Sequence, residues 1–348
     1  MKKFFFLYGL VFVLFAVFSY LFVDGGLAHS NFIQFYVAHR PLAGAIYVVL
    51  MLCLWVLYFF VRRRFIPAFL GLLVLLLVSY PAFSYDIFNY IATSRVAFHY
   101  GENPYLVMPI EIPNEQTLAF TRAANKVALY GPTWIILTAL PYVLGRGNIW
   151  ATIFTMKAMI FLFYLGIAWL VWRITKRMED VWYFVLNPLV LIEVLVSGHN
   201  DVVMMFLALA ALAVAARHRI VSWALWFMSI WVKGATIVLA PLLFLRDPLS
   251  VKSLRAAYWL LFGVFLLSPL REEMYPWYAL WLVPFAALLG TKDRFIRGFT
   301  LALTFGLSFR HAHYIATAEY GGAGPLIRTL VTALPPMIFF VWYKLKNR

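Results

Sequence analysis

With 348 residues, 64% of them hydrophobic, 19% aromatic and only 12% charged, the chain is excluded from the soluble globular class, which carries about 25% charge. Its formal charge of +15 invites a nucleic-acid reading, but 19 of the 29 Lys and Arg residues fall in seven short clusters beside apolar runs. All seven fit on one membrane face, the positive-inside pattern, so membrane lipids account for the charge with no nucleic acid.

The first apolar run, about 4–23, follows Lys2 and Lys3 and is about 20 residues long, more than the h-region of a cleaved signal. It is expected to be an uncleaved helix leaving the cytoplasm. The second, 41–61, returns to Arg62–Arg64, and the third, 65–83, goes out again. An extracytoplasmic loop is then expected over 84–131, holding Asp86, Arg95, His99, Glu102, Glu111, Glu115, Arg122 and Lys126. A loop of that length in a compact protein is usually functional.

The stretch 132–144 is too short to cross a core about 30 Å thick, so a half-helix on the outer side is expected. Helices at 148–172, 181–197 and 202–216 follow. The run 220–245 reads as two short helices, about 219–233 and 234–246, turning near Lys233-Gly234; this keeps Arg246, Lys252 and Arg255 on the basic side. The remainder pairs as 256–270, 276–290, 298–310 and 327–343. The expected fold is therefore an all-α polytopic membrane protein with about 12 transmembrane helices (11–13). It forms a single transmembrane domain over 1–348, in the plasma or cytoplasmic membrane, with both termini cytoplasmic.

Ten of the 14 acids fall away from the basic loops, a bias that topology does not require. A working outer surface is one cause. Asp86 leads the candidates: it sits just beyond an apolar run, where a carboxylate can take a proton from a hydroxyl. The same residue also reads as a cap for a helix starting at Ile87. His199-Asn200-Asp201, after Gly198, reads as a second site cluster or as an outer turn. A divalent cation there is possible but not indicated, because no paired-acid or HExxH spacing accompanies it. Cys53 stands alone, so there is no disulfide framework or CxxC site.

Lys233, inside an apolar run, needs a partner, either a lipid phosphate, a carbonyl or Asp201. Lys157 is expected to snorkel to the interface. Arg271 before YPWY (275–278) and Arg310-His311 are outer-side turns, with Arg suited to phosphate and Trp277 and Tyr278 suited to an interfacial belt.

Taken in order, SYDIFNYI, YGENPY, YGP (130–132), NP (187–188), GHND (198–201), the run ending in Lys233 and PWY (276–278) resemble the membrane-integral glycosyltransferase C superfamily. The likeness is nearest to the polyprenyl-phosphate-mannose-dependent mannosyltransferases of bacteria and archaea, and to the eukaryotic enzyme adding the first mannose of the GPI anchor. It covers roughly residues 84–280. Where the family often has paired acids, Ser84-Tyr85-Asp86 leaves one, and two helices precede the loop's own where one is common.

The resemblance implies a hexosyltransferase with an extracytoplasmic site and Asp86 as general base. The base would activate an acceptor hydroxyl that attacks a lipid-phosphate-linked hexose, mannose first, and inverts its anomeric centre. No cofactor is expected, since the single acid departs from the family's paired acids and does not favour a bridging metal, and the acceptor is a glycolipid, a glycan or a protein. Tyr85, Asn89, Tyr105, Tyr130, His199, Asn200, Asp201, Trp277 and Tyr278 are then candidates for the sugar, and Lys233, Arg271, Arg310 and His311 for the phosphate. A transporter or flippase of a lipid-linked sugar is the alternative, with Glu193 as its intramembrane acid.

Overall fold

The computed structural model describes residues 2–27, 31–60, 66–270, 273–319 and 321–347. The described residues form helices and turns with no strand, as the apolar runs predict. In order they are α1 (Lys2–Ser19), α2 (Phe32–Ala38), α3 (Arg40–Phe60), α4 (Ile66–Leu77), α5 (Asp86–Phe98), α6 (Pro132–Gly145), α7 (Ile149–Thr175) and α8 (Met178–Val185). After these come α9 (Pro188–Val190), α10 (Asp201–Val214), α11 (Arg219–Ile230), α12 (Val251–Leu267), α13 (Val283–Leu289), α14 (Arg294–Ser308), α15 (Arg310–Thr317) and α16 (Gly324–Lys346). Neighbours in sequence mostly pack together: α5 on α6, α6 on α7, and α10 on both α11 and α7. The longer returns bring α3 against α15 and α14 against α16.

Among the described residues, five helices are long and apolar enough to cross a membrane, and six if one bent pair counts as a span. Many of the remaining expected crossings are carried by helices shorter than the roughly 20 residues of a straight crossing, such as α6, α11 and the 3-10 helix Gly234–Phe244. The outward face of α16 is apolar, with Leu326, Leu330, Leu334, Met337, Ile338 and Val341 exposed, as a lipid-facing helix requires. Three acids that share loops with the basic clusters pair with them: Glu179 with Arg177 at 2.9 Å, Asp180 with Arg297 at 2.6 Å and Asp293 with Arg255 at 2.6 Å.

Three expectations change here. The 84–131 segment does not open as a loop: its first part is α5, which begins at Asp86 itself. The Asp86 side chain makes no capping hydrogen bond; instead its backbone N–H donates to Ser84 Oγ at 3.2 Å, and Tyr85 is the residue that precedes the helix. Its carboxylate is thereby left for other work. Lys157 does not snorkel. It is fully buried, because the carbonyl-rich end of α4 lies within its reach: Nζ donates to Ser79 O at 2.5 Å, Ser79 Oγ at 3.1 Å and Leu76 O at 3.4 Å. A cation at a helix C-terminus meets orphan carbonyls and the negative end of the dipole.

The bent pair is where the fold makes room for a site. Asn187 starts it, its Oδ1 accepting from the N–H groups of Leu189 and Val190 while its Nδ2 donates to Thr304 Oγ1. One π-helical turn follows, Leu191–Val196, and the chain then bends by 112° into α10. Gly198 makes that bend with φ +77, a conformation that a Cβ would strain. π-turns inside helices are frequent at functional sites. This one carries Glu193.

Candidate active site

The breaks in the helices converge. Asp86 comes from the first turn of α5, Glu193 from the π-turn, His199 from the bend, Asp201 from the first turn of α10, Lys233 from the gap after α11, and His311 from α15. His199 Nδ1 lies 3.3 Å from Asp86 Oδ2, and its Nε2 lies 3.2 Å from Glu193 Oε2. The second Glu193 oxygen is 3.0 Å from His311 Nε2. One face of the His199 ring stacks on Trp277 at 4.0 Å, and the other side of Trp277 stacks on Tyr275 at 4.4 Å.

A second arm adjoins the first. Lys233 Nζ donates to Asp201 Oδ2 at 2.6 Å, and Trp281 Nε1 donates to Asp201 Oδ1 at 2.7 Å. The ammonium lies 6.0 Å from the Tyr130 ring and 5.7 Å from the Tyr278 ring, at the outer limit of cation–π attraction. Tyr130 is held by a backbone join: Gly131 N–H donates to Val232 O at 3.2 Å and Thr133 N–H to Trp231 O at 3.1 Å. Only a glycine permits that approach, since a Cβ on Gly131 would lie 2.1 Å from Trp231 O.

Burial alone would push the Asp86 carboxyl up. The His199 imidazole, the Lys233 ammonium and a hydrogen bond from Tyr130 outweigh it and hold the group below its ordinary value of 3.8. Asp86 is therefore a carboxylate at neutral pH, and its side chain is 21% exposed. Lys233 is 18% exposed, whereas Asp201, Glu193 and His199 are fully enclosed. The open end of the site thus presents one carboxylate and one ammonium.

The other expected residues fall into three groups. Tyr85, Asn89, Asn200 and Tyr278 adjoin the site. Tyr85 lies under Arg122, whose guanidinium is 4.7 Å above the ring, and Asn89 Oδ1 accepts from Ala123 N–H at 3.2 Å. Asn200 is fully buried, its N–H donating to Tyr90 Oη at 3.3 Å while neither polar atom of its side-chain amide has a hydrogen-bond partner. Tyr278 stacks on Trp281 at 4.4 Å. Tyr105 stands further out and braces the site, its hydroxyl donating to Tyr130 O at 2.9 Å.

Some expected ligands are already engaged. Asp201 has a donor on each oxygen and Trp277 is covered on both faces, so neither offers the free edge or face expected for a sugar. His199 is enclosed, its two nitrogens within ion-pair distance of the carboxylates but not aligned in hydrogen bonds with them. Arg310 donates to Glu273 Oε1 at 2.5 Å, to Thr332 Oγ1 at 2.9 Å and to Arg328 O at 3.0 Å; His311 faces Glu193. Arg271 lies outside the described residues. Glu193, expected only as the intramembrane acid of a transporter, and Trp281, not expected at all, join the site. An acid inside an apolar run is the signal for Glu193, whereas Trp281 reads like any interfacial aromatic.

Residues 25–246, more than half of the chain, match the family described as alpha-(1->6)-mannopyranosyltransferase, N-terminal domain. The chain is also 30% identical over 158 residues to alpha-(1->6)-mannopyranosyltransferase A of Mycobacterium tuberculosis (strain ATCC 25618 / H37Rv), a match covering 41% of this chain and 29% of that protein. The chain thus aligns with under a third of that relative's length. No solved structure matches. The matched region holds Asp86, Tyr130, Glu193, His199, Asp201 and Lys233, and on this evidence the chain belongs to the alpha-(1->6)-mannopyranosyltransferase family.

Proposed function

We propose that the chain is an integral-membrane mannosyltransferase that moves a mannose from a polyprenyl-phosphate-linked donor to an acceptor hydroxyl on the extracytoplasmic side. The observation that carries this reading is the partly open Asp86 carboxylate, held by His199 beside the Lys233 ammonium, within the stretch the family match covers.

In the proposed reaction Asp86 takes the proton of the acceptor hydroxyl as its oxygen attacks the anomeric carbon. The bond from that carbon to the phosphate oxygen breaks, the lipid phosphate leaves with the electron pair, and the anomeric centre inverts. A lipid phosphate needs little protonation to depart, so one base, positioning and a nearby cation suffice. Lys233 supplies that cation, and its bond to Asp201 keeps it from collapsing onto Asp86. Asn200, buried beside His199 with its side-chain amide unsatisfied, is suited to a substrate hydroxyl.

The test is Asp86→Asn in proteoliposomes supplied with polyprenyl-phosphate mannose and a glycolipid acceptor. The expected result is a loss of transfer of at least about 100-fold with the fold retained. Undiminished transfer would discard Asp86 as the base. Movement of the lipid-linked sugar across the bilayer with no glycosidic bond formed would favour the transport reading instead.

A further inference from the structure

Glu193 and His311 take no part in the proposed reaction, yet they extend its geometry inward. From Asp86 the order is His199 at 3.3 Å, Glu193 at 3.2 Å and His311 at 3.0 Å, each step joining a carboxylate to an imidazole. Packing alone does not call for this. A carboxylate with no exposed surface among Leu191, Ile192, Val194 and Leu195 is costly unless its charge has a use.

We infer that Glu193, held by His311, is a positioning residue that keeps His199 a cation beside Asp86. This rests on the reading of Asp86 as base. A neutral imidazole has one N–H and one lone pair, so between two carboxylates it satisfies one and repels the other. An imidazolium attracts both, and at 3.3 and 3.2 Å that attraction is an ion pair's and does not need an aligned hydrogen bond. Glu193 therefore makes the cationic ring the favoured form, and that cation holds one Asp86 oxygen while leaving the other for the acceptor hydroxyl. When Asp86 has taken the acceptor's proton, the pair Glu193–His199 remains charge-balanced, so no unpaired ion is left in the interior. His311 completes the arrangement by meeting the second Glu193 oxygen. Trp277 stacks on one face of the His199 ring at 4.0 Å and limits its tilt.

Other titratable groups face this chain, among them Tyr47, whose ring lies 6.4 Å from that of His311. Lys233 and Tyr130 act on Asp86, Asp201 and Tyr90 lie beside them, and Glu193 has the two histidines. None of these replaces the contact of Glu193 with His199.

The experiment compares Glu193→Gln with the wild type in the mannosyl-transfer assay. Glutamine keeps the shape and removes the charge. The expected result is a fall in kcat of roughly 10- to 100-fold, the scale on which partners that orient a reacting group act. Donor KM should stay within about threefold, and the acid limb of the kcat/KM profile should move to higher pH. The limb moves because Asp86, facing a neutral ring, is no longer held down. His311→Gln, which keeps a donor toward Glu193, should lose less than His311→Leu. A Glu193→Gln protein with wild-type kcat and an unmoved acid limb overturns the inference while Asp86→Asn remains inactive. If Glu193→Gln does not fold, the His311 pair decides: equal, wild-type-like kcat in both overturns the inference equally. Full activity in Asp86→Asn would instead overturn the reading beneath it.

Discussion

Lys233 Nζ and Asp201 Oδ2 lie 2.6 Å apart, one in the gap after α11 and the other in the first turn of α10. The pair fastens two broken helices at the point where the site opens. Removing the cation leaves Asp201 buried with Trp281 as its remaining donor. Lys233→Met is therefore expected to destabilise the fold by about 3 kcal/mol, read as a fall in the thermal midpoint of the purified protein in detergent. It should also lower kcat/KM for the lipid-linked donor by about 100-fold, since the departing phosphate loses its counter-charge. Lys233→Arg should recover stability ahead of activity, because a planar guanidinium does not reproduce a point charge.

Gly131 is expected to tolerate no side chain. A Cβ there meets Trp231 O at 2.1 Å, and the backbone join that sets Tyr130 against Lys233 must then open. Gly131→Ala should cost about 1–3 kcal/mol and reduce transfer. Trp231→Ala is the control that checks the cause: the clash is with backbone, so it should not rescue Gly131→Ala.

Acid sensitivity of the segment after α5 should trace to Glu115. Burial pushes this carboxyl up, but Arg95 at 2.8 Å and the Thr117 N–H outweigh it and hold it below the ordinary 4.5. Because its folded value is depressed, its stabilisation is fully present above 4.5 and is lost as pH falls through the lower folded value. The difference in thermal midpoint between wild type and Glu115→Gln should be constant near neutrality and shrink below 4.5. A difference that grows on acidification would refute this.

Lys157 tests the frame behind the base. Its Nζ closes the end of α4 through Ser79 and Leu76, and the chain runs from there directly to Asp86. Lys157→Met fills similar volume but leaves those carbonyls unpaired, and should destabilise by about 1–3 kcal/mol. Hydrogen exchange should rise first in residues 78–88. Uniform exchange with no change there would assign Lys157 to packing alone.

Much of this was legible in the chain itself. Apolar runs bounded by clusters such as Arg173, Lys176 and Arg177 announce a helical membrane protein, and the motifs from SYDIFNYI to PWY announce the family. The break at Lys233-Gly234 was visible because a single crossing over 220–245 would carry Arg246, Lys252 and Arg255 away from the basic side, and two separate helices do flank it. The partners of each polar residue were not visible. Asp86 and His199 are 113 positions apart, and Glu193 and His311 lie 118 apart, so no local period relates them.

What the sequence by itself determined is where polar groups interrupt apolar segments, because hydrophobicity and charge placement act over a few neighbouring residues. What only the tertiary structure decided is which of those interruptions meet. The 112° bend at Gly198 and the π-turn before it turn Glu193 and His199 toward Asp86. The same folding leaves Arg310 spent on Glu273, since a buried arginine takes the nearest carboxylate whatever its motif implies.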